Sequence, residues 1–338
     1  MDTQKKINQP VLVTGATGFI GRILVEKLLK HEIQIKALVL PDEKLPPGWE
    51  TNKLISVIRG SVTDPAAVEK AMKNVKTLFH LAAVVADWGD ENLFWDIGVN
   101  GTRHVLDEAI KFDTKVILAS SIVVYGEKIG KEVCTEETDF GRTFGPYGRV
   151  KQEQEKIARQ YETKYNLQLV VIRPANVYGP GSRPWVHQVL ATLKSGSPSL
   201  INGGDYNAGL VHVESITDAM VLAAESEKAV GNTYNVCDLN NVTWKQYFSD
   251  LAEIAGCSKP RSIPLFVAKP LAHSVQFLWK LFRLKIQPPI TLESLNLVSS
   301  KHQIEVDKLI DHLGYTPNYP YEEGIKSLKT YIIEGDLC

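Results

Sequence analysis

VLVTGATGFIGRILVEKLL, residues 11–29, starts as a β-strand and ends as an amphipathic helix. The run PVLVT (10–14) is apolar and β-branched and stops at Thr14. Gly15, Gly18 and Gly21 follow, and helical spacing begins at about Phe19. Glycines let the chain turn tightly and bring its backbone close to a ligand. The helix start beyond them offers free N–H groups and the positive end of its dipole. Such a turn suits the pyrophosphate of a dinucleotide, and Gly15, Thr17, Gly18, Phe19, Ile20 and Gly21 form the candidate cradle. The spacing is Gly-x-x-Gly-x-x-Gly, not Gly-x-Gly-x-x-Gly. A glycine-rich turn is weak evidence alone; the strand before it and the helix after it give it context.

Outward from this stretch the first half keeps one rhythm. Apolar runs at IQIKALVL (33–40), LISVIRG (54–60), TLFHLAA (77–83), KVILAS (115–120) and LQLVVIRP (167–174) read as strands. Amphipathic stretches at about 19–30, 65–73, 92–111 and 147–165 read as helices between them. Strands that are apolar nearly throughout and alternate with helices predict a parallel sheet covered on both faces, an α/β doubly wound fold of Rossmann type. After Pro174 the rhythm loosens into helical pieces at about 184–194, 215–227 and 243–255, with short strands near 210–213 and 233–236. The expected division is a cofactor-binding domain over 1–174 and a smaller, mostly helical substrate lobe over 175–338, partly interleaved with the sheet. No flexible linker marks the boundary.

Composition narrows the function classes. A formal net charge of −1 gives no overall field for nucleic acid or acidic membranes. The start, MDTQKKINQP, has no apolar signal-peptide core, and no segment has the roughly twenty uninterrupted apolar residues of an integral membrane span. Cys134, Cys237, Cys257 and Cys338 are far apart, without Cys-x-x-Cys pairs or clustered histidines. That pattern argues against a metal site or a disulfide framework and fits a reducing, cytoplasmic setting.

In ALVLPDEK (37–44) the second strand ends at Leu40, and Asp42 is the first carboxylate able to hold a ribose hydroxyl. It could equally cap a turn. No arginine of this stretch stands ready for a 2′-phosphate, so NAD is the expected cofactor, with NADP left open by Lys44. In GPYGRVKQEQEK (145–156) Tyr147 precedes Lys151 by four residues, a spacing that fits a catalytic pair and an exposed helix face alike.

Seven motifs occur in order: TGATGFIG (14–21), GSVTD (60–64), HLAA (80–83), VNGT (99–102), SSIVVYG (120–126), YGRVK (147–151) and RPANVYGPG (173–181). In this order the chain resembles the extended short-chain dehydrogenase/reductase family, closest in features to its 3β-hydroxysteroid dehydrogenase-like and dihydroflavonol reductase-like branches. The resemblance implies a catalytic Ser121, four residues before Tyr125, with Tyr147 and Lys151 as the Tyr-x-x-x-Lys pair, and makes Ser120 structural. It places Ser61, Val62, Leu81, Ala82, Ala83, Ala119 and Pro174 along the cofactor, and reads Asn100 as structural. For substrate it implies Val85, Trp88, Ser121, Val123, Asn176, Val177 and Arg183. It also implies a homodimer paired through the helices near 92–111 and 147–165.

Departures from the family pattern bear on the substrate. Ser61 stands where an acid often meets adenine, with Asp64 as the second acid. Ile122–Val123 replaces the Asp–Glu pair of nucleotide-sugar dehydratases, which argues against elimination of water. In DYNAGLVHVESITDA (205–219) the place of a phosphate-clamping arginine falls near Ala208, and no arginine occurs between Arg183 and Arg261. Phosphate oxygens need cationic partners, so a nucleotide-diphosphate substrate is disfavoured.

PLFVAKPLAHSVQFLWKLFRLKIQPP (264–289) spaces Leu271, Val275, Leu278, Trp279 and Phe282 helically, with Lys269, Lys280, Arg283 and Lys285 around them. Core packing with snorkelling lysines is the ordinary reading; an apolar substrate pocket and a membrane surface are the others. Trp95, beside Phe94, is as readily core as pocket, and His187 and His212 have no evident partners. Together these features lead us to expect an NAD(P)-dependent oxidoreductase. It would interconvert a secondary alcohol and a ketone on an apolar or non-nucleotide small molecule. Tyr147 would be the acid/base and Lys151 its electrostatic partner, favouring the phenolate. The alternatives are a nucleotide-sugar epimerase using the same three residues and a non-catalytic dinucleotide sensor.

Overall fold

A computed structural model describes residues 7–317 and 319–335. Cys338 and the first six residues, part of the start read above as lacking an apolar signal-peptide core, lie outside the described residues. The order through the first half is β1 (Val11–Thr14), α1 (Phe19–Lys30), β2 (Ile35–Val39), β3 (Ile55–Arg59), α2 (Pro65–Met72), β4 (Thr77–His80), α3 (Glu91–Trp95), α4 (Gly101–Lys111), β5 (Lys115–Ala119), α5 (Pro146–Tyr165) and β6 (Leu169–Pro174). Then come β7 (Asn176–Tyr178), α6 (Gln188–Lys194), β8 (Leu200–Ile201), β9 (Leu210–His212), α7 (Val213–Glu225), β10 (Thr233–Val236), α8 (Trp244–Ile254), β11 (Ser262–Ile263), α9 (Leu265–Leu281), α10 (Leu292–Val298), α11 (Asp307–Leu313) and α12 (Tyr321–Glu334).

Seven strands form one parallel sheet in the order β3-β2-β1-β4-β5-β6-β10. Alternation along each strand feeds two cores. Val11 and Val13, Ile117, and Val170 and Ile172 join one cluster with α1 and α7, whereas Leu12, Val116 and Leu118, and Leu169 and Val171 join a second with α2, α4 and α5. Burial on both faces is what the unbroken apolar strands required. Each fully buried Val, Leu or Ile contributes roughly 1.5–3 kcal/mol of transfer free energy. Lys27 of α1 ties the first face together by pairing with Glu214 (2.9 Å) and Asp218 (2.5 Å) of α7.

Some boundaries differ from the sequence expectation. The strand expected to reach Ala83 ends at His80, because the N–H groups of Leu81 and Ala82 turn to the Thr14 hydroxyl (3.1 and 3.2 Å). The single helix expected over 92–111 is interrupted by a π turn at Asp96–Asn100, where Asn100 Nδ2 donates to Asp96 Oδ1 at 2.9 Å. The later segments build smaller units: β7 pairs with β9, β8 pairs with β11, and Trp244, Tyr247, Leu193 and Leu328 close a further core among α6, α8 and α12.

The stripe on α9 departs most. Its buried residues are Ala268, Ala272 and Gln276, while Leu271, Leu278 and Phe282 face outward. Ala268 and Ala272 hold this helix to the body and Val275 and Trp279 are half-buried, so the core-packing reading fails for Leu271, Leu278 and Phe282.

Candidate active site

Because the large sheet is parallel, the turns after its strands open on one edge. The strand order reverses between β1 and β4, and a crevice forms there. A cleft of about 580 Å³ occupies this place. Every cofactor residue proposed from the sequence lines it except Asp42, and every substrate residue except Trp88. The turn after β2 presents Leu40 and Glu43 to the cleft and points Asp42 elsewhere. An arginine also reaches this turn, contrary to the local reading: Arg59 Nη1, from β3, donates to the carbonyls of Leu40, Pro41 and Glu43 at 3.2, 2.8 and 3.0 Å. Trp88 is occupied differently, its indole N–H donating to the Leu284 carbonyl at 2.9 Å.

The glycine turn fits a bound pyrophosphate. Gly15 has φ +65°, and a Cβ there would stand 3.1 Å from the Leu81 and Ala82 backbone. A Cβ on Gly21 would stand 2.1 Å from the Gly15 carbonyl oxygen, so no side chain fits. Gly18 caps α1 without any side-chain bond to the first turn, leaving the helix start open to an anion. Asp64, the second acid of GSVTD, instead caps α2 by accepting from Ala66 N at 3.0 Å.

Ser121, Tyr147 and Lys151 meet on the cleft wall. Ser121 follows β5; Tyr147 and Lys151 lie one turn apart at the start of α5. Lys151 is buried. Its Nζ donates to the Ala119 carbonyl at 2.6 Å and to Gln154 Oε1 at 2.9 Å, and lies 5.8 Å from the centre of the Tyr147 ring. Burial pulls its pKa down to about 8, against the opposing pull of Glu155. Gln154 continues the chain of contacts. Its Nε2 donates to Thr102 Oγ1 (2.7 Å), which lies 2.9 Å from His80 Nε2, and His80 Nδ1 lies 2.8 Å from Thr14 Oγ1. Burial and the Lys151 charge push His80 down to about 3, so its ring is neutral and bridges the two threonines. A buried polar line thus connects the end of β1, at the phosphate turn, to Lys151.

The protein's own groups act on the Tyr147 phenol in both directions. Burial pushes the phenol up to about 12. A hydrogen bond with Ser121 opposes this, and the charges of Glu293 and Asp87 add to it. Lys151 itself is turned toward Ala119 and Gln154.

Glu293 and Asp87 are the residues that sequence reasoning missed. Both line the cleft. Glu293 Oε2 accepts from Phe144 N at 3.0 Å, and Asp87 Oδ2 accepts from Thr291 Oγ1 at 2.8 Å. Burial, then the Asp87 charge, raise Glu293 to about 7, opposed by backbone N–H bonds from Phe144 and Gly145 and by Arg149. Their one sequence signal was Thr291–Ser294, which forms a reciprocal cap on α10.

Ser120, Tyr125 and Arg173, motif residues beside the site, are linked in one chain with Glu155. Ser120 Oγ donates to Glu155, and Glu155 pairs with buried Arg173 at 2.7 Å. Arg173 Nη1 donates to the Tyr125 hydroxyl at 2.9 Å, which locks SSIVVYG to RPANVYG. Asn176 Nδ2 donates to the Ala208 carbonyl at 2.7 Å, and exposed Arg183 lies at the cleft rim. His187 and His212 do have partners: His187 Nε2 lies 3.0 Å from the Tyr331 hydroxyl, and His212 stacks on Tyr319 at 3.8 Å. Phe94 is buried and Trp95 exposed. Among the described residues no group of three or more His, Cys, Asp or Glu is placed to hold a metal.

Residues 11–237 match the profile described as the NAD dependent epimerase/dehydratase family. An Arabidopsis thaliana protein named 3beta-hydroxysteroid-dehydrogenase/decarboxylase isoform 2 is 27% identical over 93% of this chain, which spans 60% of that relative's length. A 2-alkyl-3-oxoalkanoate reductase of Stenotrophomonas maltophilia is 24% identical, covering 94% of this chain and 98% of its own. The structure of a Thermotoga maritima UDP-glucose 4-epimerase with UDP-glucose has a TM-score of 0.75 at 24% identity, covering 96% of this chain and 99% of that one. That likeness is one of fold.

Proposed function

Since this chain belongs to the NAD-dependent epimerase/dehydratase family, an extended branch of the short-chain dehydrogenases/reductases, we propose that it is a nicotinamide-dependent oxidoreductase interconverting a secondary alcohol and a ketone on an apolar, non-nucleotide small molecule. The observation that carries the proposal is the convergence of Ser121, Tyr147 and Lys151 on the cleft that begins at the Gly15–Gly21 turn. The nicotinamide, when bound, exchanges hydride with the carbinol carbon. Gly15, Gly18 and Gly21 would hold the pyrophosphate, and Glu43, rather than Asp42, would hold the first ribose. Lys151 keeps one N–H beyond its bonds to Ala119 and Gln154, and that proton would serve the second ribose of a bound dinucleotide. Tyr147 exchanges a proton with the substrate oxygen, and the Ser121 hydroxyl steadies that oxygen as its charge changes.

Substrate character follows from the other wall. Val85, Val123, Val177 and Leu297 are apolar, and Asp87 and Glu293 oppose polyanions. The place of an arginine clamp holds buried Ala208. These features favour the ketone or alcohol reading over a nucleotide-sugar epimerase, and relatives named for a hydroxysteroid and an oxoalkanoate support it. NAD is the proposed cofactor, with NADP as the alternative, since Arg59 reaches the turn after β2.

The proposal carries with it the division at residue 174, although β10 and α7 return to complete the sheet domain. It also carries a homodimer through α3–α5, where Leu93 and Trp95 are exposed. A screen of secondary alcohols and ketones, alongside nucleotide-diphosphate sugars, followed by nicotinamide absorbance and product analysis, tests it. Turnover of an apolar ketone or alcohol is expected, and epimerisation of a nucleotide sugar without net oxidation would overturn it.

A further inference from the structure

We propose that α9 and the segment after it, Leu265–Ile286, dock on an anionic lipid surface. The inference is separate from the oxidoreductase reading and rests on how this helix divides its side chains. An ordinary surface helix buries its large apolar residues. Here the inward positions are Ala268, Ala272 and Gln276. The outward ones are large: Phe266 is 80% exposed, Phe277 and Phe282 66%, Leu281 61% and Ile286 69%, with Leu271 and Leu278 beside them. An exposed apolar face of this kind on a folded body marks an interaction surface.

Charge identifies the occupant. The chain as a whole is nearly neutral, yet no carboxylate stands between Glu253 and Glu293, while Lys259, Arg261, Lys269, Lys280, Arg283 and Lys285 all do. All six are exposed. None takes part in an ion pair among the described residues. At about 3.6 residues per turn, Lys269, His273 and Lys280 share one flank of the apolar face. A basic flank beside exposed Phe and Leu is the pattern of a helix lying in the plane of a membrane interface: apolar groups enter the acyl boundary and cations meet anionic headgroups. A second copy fits poorly, since a two-fold contact through this face would bring like charges together. Spanning is excluded: α9 is 17 residues, about 25 Å long, carries Lys269 and Pro270, and no described helix is long and apolar enough to cross a membrane.

The docking face adjoins the cleft. Gln188, which lines the cleft, donates to Gln287 Oε1 at 3.1 Å, and Trp88 donates to the Leu284 carbonyl. A docked molecule would therefore hold its cleft mouth near the lipid surface.

The test needs neither substrate nor nicotinamide. Full-length protein is sedimented with phosphatidylcholine vesicles and with vesicles of phosphatidylcholine and phosphatidylglycerol, at low and high salt. Binding to the anionic vesicles at least tenfold stronger than to neutral ones, weakened by salt, is expected. Lys280→Gln/Arg283→Gln/Lys285→Gln should lower the partition coefficient by about a hundredfold, and Phe277→Ser/Phe282→Ser should abolish binding. Both variants replace exposed side chains and should keep the wild-type melting temperature. Absence of binding to anionic vesicles overturns the proposal. So does a self-association that the Phe277→Ser/Phe282→Ser variant abolishes, because it would assign the face to a second copy.

Discussion

Lys151 Nζ and Gln154 Oε1 lie 2.9 Å apart inside the protein, and this contact fixes which way the ammonium points. Gln154 does two things at once: it accepts from Lys151 and donates to Thr102. Gln154→Leu removes both bonds and leaves a buried cation with one protein acceptor fewer. Removal of a buried partner costs about 1–3 kcal/mol, so the melting temperature should fall. Turnover should fall further than cofactor affinity, since Lys151 would lose its fixed direction. Gln154→Glu keeps the acceptor and adds a negative charge, which raises the Lys151 pKa. The pH–rate profile of that variant should shift to higher pH, and an unchanged profile would show that Gln154 only fills space.

Gly21 tests the phosphate cradle. Its missing Cβ is what lets the Gly15 carbonyl approach, and Gly21→Ala forces the turn apart. Overpacking of this kind costs about 1–3 kcal/mol. Titration should show nicotinamide dinucleotide binding weakened by at least tenfold while circular dichroism retains the α/β signature. Wild-type affinity in the variant would remove the turn from the cofactor site.

Glu293 gives a pH signature. Its folded pKa is raised from 4.5 to about 7, so between these values the folded state holds more protons than the unfolded one. Stability therefore falls as pH rises through this window and stays lower above it, by about 3 kcal/mol. Glu293→Gln keeps an oxygen for Phe144 N but cannot ionise. The variant should match wild type near pH 4 and be more stable at pH 8, as read from denaturant unfolding. A difference that does not grow with pH would mean that Glu293 ionises freely.

Most of the sheet was legible in the sequence, because β-branched runs and a glycine turn are local signals, and the ordered motifs behind the family resemblance pointed to Ser121, Tyr147 and Lys151, which meet on the cleft wall. The sequence did not show what depends on chain reversal. Asp42 and Glu43 are adjacent, and only the path of the turn, held by Arg59 from the next strand, decides which faces the cleft. Glu293 and Asp87 are about two hundred residues apart, and the cap at Thr291 brings them together. The direction of Lys151 was hidden in part for the same reason, since one of its two acceptors is the Ala119 carbonyl at the end of β5. In α9 the apolar spacing was legible, but which face was buried was not: Ala268 and Ala272 carry too weak a signal to outweigh five large side chains.

Tyr147→Phe bears most directly on the central claim that this phenol exchanges the proton of an alcohol–ketone interconversion. The measurement is nicotinamide-coupled turnover of the best substrate from the screen, with cofactor binding titrated on the same preparation. Loss of turnover by at least a thousandfold (about 4 kcal/mol) with cofactor affinity unchanged is the predicted result. Retained turnover in a variant that still binds cofactor would contradict the mechanism.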